Sequence, residues 1–491
     1  MFTKEQANKY ISDNKNKVNQ EFKPRFHFSA EIGWINDPNG FCRFNGKYHL
    51  FYQFHPYDSK WGPMHWGHAV SNDLIKWEHM PAALAPDSSF DKDGCFSGTA
   101  LILDNKLYLF YTGVHEGKQE QCIAYSSDGI NFEKYAGNPV IGEKNLASGV
   151  NINDFRDPKI IKRGSNYYCI IGANSKAVVY KSNNIYDWEY AGDLLDKNLG
   201  VMWECPDYFE ENGEAVFIAS VCGKNQENND ENKFIFYANP TYFVLENNSL
   251  DNLPVKYKYF DEIENGFDFY APQILQTGED KNIIIAWQYT FGEKIITDSD
   301  NINHGWANCM TLPRELSITG GKLCQNPVKA IENYRQNKFS VKDTELGNYT
   351  LEISDSCEIL MSIDMAEAQK LKIMLPAGIL EFDKNQGYII FDRTDCGYDL
   401  RPDEKREKGV RELRKIKFDF SENINLRIFI DVSSAEIFIN GGETVISSRF
   451  YLKEKNYKIE LCADGLINIK EILIYDIIGT NFTAADAHNE N

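Results

Sequence analysis

Three short acidic segments stand out for the chemistry they could do together: Trp34-Ile35-Asn36-Asp37-Pro38-Asn39-Gly40, Arg156-Asp157-Pro158 and Glu204-Cys205-Pro206. In each, a carboxylate is followed by proline at once or one residue later, in an aromatic-rich setting. Carboxylates held this way suit the cleavage of a glycosidic bond. That reaction needs an acid to protonate the leaving oxygen and a second carboxylate to meet the positive charge growing at the sugar carbon. Asp37, Asp157 and Glu204 are therefore the candidate catalytic residues. Blander readings exist for each: a turn-forming aspartate before Pro38-Asn39-Gly40, an ion pair of Asp157 with Arg156, and a surface glutamate at a strand end.

Asp37 and Glu204 are 167 residues apart, so the fold must bring distant segments to one place. An internal repeat supplies the means. Ser71-Asn72-Asp73-Leu74-Ile75-Lys76-Trp77 lines up with Ser126 to Phe132 and with Ser182 to Trp188, at spacings of 55 and 56 residues. Each copy follows a strand-like segment, and polar Ser/Asn/Asp runs between such segments are turn chemistry. A second periodicity runs in phase: apolar strands centre on Leu50, Phe110, Ile170, Ile218 and Ile284, each twelve residues after Pro38, Gly98, Pro158, Pro206 or Pro272. Five such units predict an all-β architecture, a five-bladed β-propeller over residues 22–335. The first strand of every blade lines the central channel, which puts Asp37 in the first blade, Asp157 in the third and Glu204 in the fourth. Helical signal is poor, apart from a stretch near Val328 to Gln336.

Beyond about residue 337 the repeat stops and apolar and polar residues alternate, as in Leu426 to Asp431 and Ala435 to Ile439. Those two runs, joined through Val432-Ser433-Ser434, read as a hairpin within a C-terminal β-sandwich spanning 338–480. The polar tail from Thr480 reads as frayed.

Composition narrows the function classes. The net charge of −20 disfavours nucleic acid and anionic membranes as partners. No run of 18 or more apolar residues appears, so no membrane span is expected, and the first residues lack the apolar core of a signal peptide. Eleven cysteines, scattered singly, suit reduced thiols in a cytoplasmic protein. His65 and His68, three residues apart in a strand without a third ligand nearby, read as structural; no metal and no cofactor are expected.

These motifs, with Phe51-Tyr52-Gln53, Gly94-Cys95-Phe96-Ser97-Gly98, Asp268 to Gln273 and Leu312-Pro313-Arg314-Glu315-Leu316, resemble glycoside hydrolase family 32. That is the invertase, sucrose-6-phosphate hydrolase, inulinase and levanase group. The resemblance spans nearly the whole chain and implies a retaining double displacement on a β-fructofuranosyl unit. It implies Asp37 as nucleophile, Glu204 as general acid/base with a raised pKa, and Asp157 as stabiliser of the transition state. It also implies a sugar-binding shell of Asn36, Gln53, Trp61, Phe96, Ser97 and Arg156, walled by Trp34, with Tyr270 and Trp287 reaching the pocket rim. The partner expected is a small sugar, sucrose-6-phosphate ahead of sucrose, on a monomer or homodimer. Two alternatives share these residues: a non-catalytic fructoside-binding propeller and a fructosyltransferase.

Overall fold

Five sheets follow one another along the chain, at the phase the sequence predicts. The computed structural model describes residues 2–197, 199–223, 230, 232–276, 281–288, 304–398, 400 and 412–480. The innermost strands of blades I to V are Gly33–Phe44, Gly94–Leu103, Phe155–Arg163, Met202–Glu211 and Tyr270–Gln276. Each pairs with a second strand carrying one of the five apolar centres: Lys47–His55, Lys106–His115, Asn166–Ala173, Glu214–Cys222 and Asn282–Gln288. These second strands are buried almost throughout, because neighbouring blades cover both of their faces, and so they read as continuous apolar runs. The ring closes where Trp306–Ala307 pairs in parallel with Gly33–Trp34.

The serine repeat is the turn before the outermost strand of blades I to III. Ser71 Oγ accepts the Leu74 N–H at 2.9 Å and Asp73 Oδ1 accepts that of Lys76 at 2.9 Å. Ser126 and Asp128 repeat the pattern with Gly129 and Asn131, and Asn184 takes the Asp187 N–H in blade III. The aromatic that follows in each copy (Trp77, Phe132 or Trp188) is buried between blades.

All five inner strands break register with their neighbours at one phase. Asn36-Asp37, Asp157-Pro158, Cys205-Pro206 and Ala271-Pro272 each oppose a single partner residue, and Ser97 is the extra residue in blade II. Proline has no N–H to give the ladder, so a bulge is where an inner strand can hold it. The residues before three of these prolines take left-handed backbone, with φ of 65° at Asp157, 48° at Cys205 and 47° at Ala271. A bulge turns its side chain out of the strand's alternation. Below the bulges the blades are tied across the channel. Lys159 Nζ lies 2.6 Å from Asp207 Oδ1, Asp207 Oδ2 accepts the Ile274 N–H, and the Gln273 amide links Phe41 to Gly98. At Gly98 a Cβ would sit 1.9 Å from the Phe110 carbonyl oxygen, so only glycine lets the two strands approach.

After Arg335 the chain builds a second β unit. Two long strands, Arg335–Glu352 and Lys458–Ile477, pair with each other along their length. Lys458–Ile477 joins Ser356–Asp364 through one half and Lys370–Leu375 through the other, so the strand sets on either side fold over one apolar core. The predicted hairpin is present: Ile424–Asp431 and Ser434–Ile439 pair antiparallel, with Asp431 opposite Ser434.

Two readings need correction. A helix spans Lys4–Asn14, started by a capping box in which Thr3 and Gln6 satisfy each other's backbone N–H. It buries only Ala7 fully, and its apolar face is short: Tyr10 and Ile11 pack part-buried against the core, and Asn8 Oδ1 accepts the Ala82 N–H. The tail does not fray at Thr480, whose N–H donates to the Arg25 carbonyl at 2.8 Å; residues 481–491 lie outside the described residues. The stretch Lys329–Tyr334 is helical as expected, in 3₁₀ form. Among the described residues no helix is long and apolar enough to cross a membrane.

Buried charges fasten the two β units. His27 lies between Asp431 and Glu436 at 2.8 and 2.9 Å, and Arg314 donates twice to Glu436 and once to Ser447. The Arg314 guanidinium is also flanked by the rings of Phe269 and Phe438.

Candidate active site

Counting back from Pro38, Gly98, Pro158, Pro206 and Pro272, the five bulges present two sets of residues at the channel mouth. One step back stand Asp37, Ser97, Asp157, Cys205 and Ala271; two steps back stand Asn36, Phe96, Arg156, Glu204 and Tyr270. Hydrogen bonds knit the sets together. Ser97 Oγ donates to Asp37 Oδ2 at 2.5 Å, and the Asn36 amide donates to Asp37 Oδ1 at 3.2 Å. The Cys205 thiol touches both Asp37 Oδ2 at 3.4 Å and Asp157 Oδ2 at 3.6 Å, while its backbone N–H donates to Asp157 at 2.9 Å. Arg156 Nη2 donates to Glu204 Oε1 at 2.7 Å, and the Tyr270 hydroxyl donates to Glu204 Oε2. Carboxylates from blades I, III and IV thus share one pocket.

The three carboxyls divide the charge unequally. Burial raises the pKa of Asp37, with the charge of Glu204 adding to it against the Ser97 hydrogen bond. Burial likewise lifts Asp157 to about 7, with Asp37 and Glu204 pushing the same way and Arg156 opposing. At Glu204 burial also acts upward, but Arg156 and the Tyr270 hydrogen bond outweigh it and hold the group below its ordinary value. This reverses the expectation that Glu204 carries the raised pKa. Sequence reading weighs burial and like charge, whereas the guanidinium fixed on Oε1 decides the sign. Within the pocket Glu204 is thus pushed toward its ionised form and the two aspartates toward their protonated forms.

Every residue expected in the shell lies near this pocket, though not all touch the carboxylates. Trp34 Nε1 donates to Asn36 Oδ1 at 2.9 Å, fixing the amide that meets Asp37. Gln53 sits opposite the blade I bulge with its amide nitrogen on the Cys95 carbonyl. Trp61 is 57% exposed and edge-on to Phe96 at 6.2 Å, so it stands at the mouth as an open apolar surface. Tyr270 is no rim residue: it is buried and grips Glu204. Trp287 lies behind it, packed edge-on to both Trp34 and Tyr270. His65 and His68 point to opposite faces of their strand; His65 bonds the Pro63 carbonyl, and His68 stacks on Phe51 and meets His49 at 3.1 Å.

Sequence reasoning missed four supports. Cys205 belongs with Asp37 and Asp157 by phase alone, and that phase is a signal the sequence carries. Thr112 Oγ1 accepts the Asp157 N–H at 2.9 Å, and Gln119 Oε1 accepts from Arg156 at 3.1 Å. Cys222 lies 3.4 Å from Glu204 Oε2. These three come from second and third strands, whose register no motif records.

The chain is similar to known proteins over nearly all of its length. The model for the glycosyl hydrolases family 32 N-terminal domain matches residues 27–327, and that for the family's C-terminal domain matches residues 327–476. A sucrose-6-phosphate hydrolase of Escherichia coli is 36% identical over 471 residues, covering 90% of this chain and 92% of that protein. A raffinose invertase of the same organism is 34% identical, with the same coverage. Among solved structures, a Bombyx mori GH32 beta-fructofuranosidase superposes with a TM-score of 0.81 at 32% identity, covering 97% of this chain and 98% of that one. The sucrose-6-phosphate hydrolase of Lactobacillus gasseri gives 0.84 at 26% identity, covering 98% and 100%. Matched along both of its β units, the chain belongs to glycosyl hydrolase family 32.

Proposed function

We propose that this chain is a retaining β-fructofuranosidase that hydrolyses sucrose-6-phosphate or sucrose by double displacement. Asp37 attacks the anomeric carbon and forms the fructosyl-enzyme. Glu204 protonates the leaving oxygen and then deprotonates the incoming water, while Asp157 holds fructose hydroxyls as the ring flattens. The observation that carries the reading is the convergence of the three carboxylates, with one thiol touching both aspartates and Arg156 spanning to Glu204. The names of the relatives support the substrate class, and a variant of the Bombyx mori enzyme has been solved in complex with sucrose.

Bound substrate has to oppose these shifts. A fructose hydroxyl that engages Arg156 weakens its hold on Glu204, and hydroxyls that donate to Asp157 favour its ionised form. The proton then belongs on Glu204, where the leaving oxygen needs it. We place the enzyme in the cytoplasm, as a monomer or homodimer. Its cysteines all stand as free thiols, which suits a reducing compartment.

The test compares kcat/KM on sucrose and on sucrose-6-phosphate for the purified protein. A tenfold preference for the phosphorylated sugar corresponds to about 1.4 kcal/mol of phosphate recognition. Equal rates make it a general invertase. Asp37→Asn removes the nucleophile and should lower kcat by about a thousandfold or more. Cleavage of neither sugar overturns the reading.

A further inference from the structure

The second strand of blade IV ends at Cys222, directly beside the proposed acid/base. In the ladder Cys222 pairs with Met202 and Ser220 with Glu204. Cys222 is therefore the diagonal neighbour of Glu204, and the two side chains leave the same face of the blade. Ser220 on that face accepts the Ala271 N–H at 3.2 Å, which anchors the blade V bulge alongside. Cys222 is 7% exposed. Its Sγ lies 3.4 Å from Glu204 Oε2 and 3.2 Å from the Tyr270 hydroxyl oxygen.

The donors around Glu204 are thus allotted by atom. Arg156 takes Oε1; Tyr270 and Cys222 share Oε2. Tyr270 has a single proton and spends it on Glu204, so the thiol hydrogen has two acceptors within reach, the carboxylate and the phenol oxygen. Burial pushes the thiol up to about 12, which keeps it a neutral donor at any working pH. A thiol is a weak donor compared with a hydroxyl. Beside a group that must alternate between ionised and protonated forms, a weak donor orients the ionised form without locking it.

We infer that Cys222 is a positioning residue for Glu204, its thiol steering Oε2 together with Tyr270 while leaving the carboxylate free to take up a proton. The inference rests on the reading of Glu204 as acid/base given above. Serine at this position supplies a stronger donor, stabilises ionised Glu204 and makes the acid form scarcer. Alanine removes the donor and does the opposite.

The experiment is the pH dependence of kcat/KM on sucrose for the full chain and for Cys222→Ser and Cys222→Ala, with near-ultraviolet circular dichroism to establish folding. With Glu204 held below the aspartates, the acid limb is the one that reports it, and that limb should move down by about half a unit in the serine variant and up by about half a unit in the alanine variant. KM should change by less than about twofold, since the thiol acts through Glu204 rather than on sugar. Acid limbs that coincide in all three proteins, or a change confined to KM, overturn the inference. If alanine prevents folding, the direction of the serine shift decides alone. A parent enzyme that cleaves no fructoside instead overturns the assignment of Glu204 itself.

Discussion

The join between the two β units makes a quantitative prediction at His27. The ring is fully buried, with Nδ1 2.8 Å from Asp431 Oδ2 and Nε2 2.9 Å from Glu436 Oε1. A neutral imidazole has one N–H and one lone pair, so only the imidazolium can donate to both carboxylates. Burial opposes that charge, but the hydrogen bonds and charges of Asp431 and Glu436 outweigh it and raise the pKa. His27 and Arg314 together balance Asp431 and Glu436. Replacing His27 with glutamine leaves one net negative charge buried, and breaking a buried pair from one side costs about 3–5 kcal/mol. Asp431 keeps the backbone N–H groups of Arg25, Phe26 and residue 27, and Glu436 keeps Arg314 and the Leu312 N–H. The loss therefore belongs near the low end, about 3 kcal/mol. The sign with pH follows from the raised pKa. The stabilisation is complete below the ordinary histidine value of 6.5 and is lost as pH rises through the higher folded value. Urea unfolding of parent and His27→Gln from about pH 6 to about pH 10 should show a gap that narrows toward alkaline pH. A gap below about 1 kcal/mol at the acid end, or two curves that stay parallel, would refute the imidazolium clamp.

Two further perturbations test the pocket and its frame. Tyr270→Phe removes a hydroxyl that favours ionised Glu204, so the Glu204 pKa rises and the acid limb of kcat/KM, which reports Glu204 while it lies below the aspartates, moves up by about one unit; an unmoved limb contradicts the assigned hydrogen bond. Gly98→Ala drives a methyl to within 1.9 Å of the Phe110 carbonyl and should cost about 3 kcal/mol in thermal unfolding, with activity lost because Ser97 no longer meets Asp37. Retention of full stability by that variant contradicts the close approach of the two strands.

Much of the architecture was legible because it repeats. Strand centres twelve residues beyond Pro38, Gly98, Pro158, Pro206 and Pro272 mark five inner hairpins, and the same phase marks the bulges that carry the carboxylates. What could not be read there is set by contacts between strands far apart in the chain. Tyr270 reads as a rim aromatic, and only the closeness of blades IV and V shows it on Glu204. The same holds for the lowered pKa of Glu204, which depends on an arginine from blade III reaching into blade IV. The helix at Lys4–Asn14 escaped because its apolar face is a single turn, Ala7, Tyr10 and Ile11, and its clearest start signal is a polar cap.

The shared phase of the five bulges has a consequence for how such a pocket is shaped. Proline and register, rather than the exposed side chain, set the backbone shape that presents each residue to the axis. The positions of Asp157, Cys205 and Ala271, which share left-handed backbone before a proline, therefore present their side chains to the hub in one common way. Of these three, Ala271 is the smallest and adjoins Tyr270, which grips the acid/base. Its burial and the Ser220 bond to its N–H make it the tightest of the three, so the shape of this part of the hub is set by backbone rather than by a side chain.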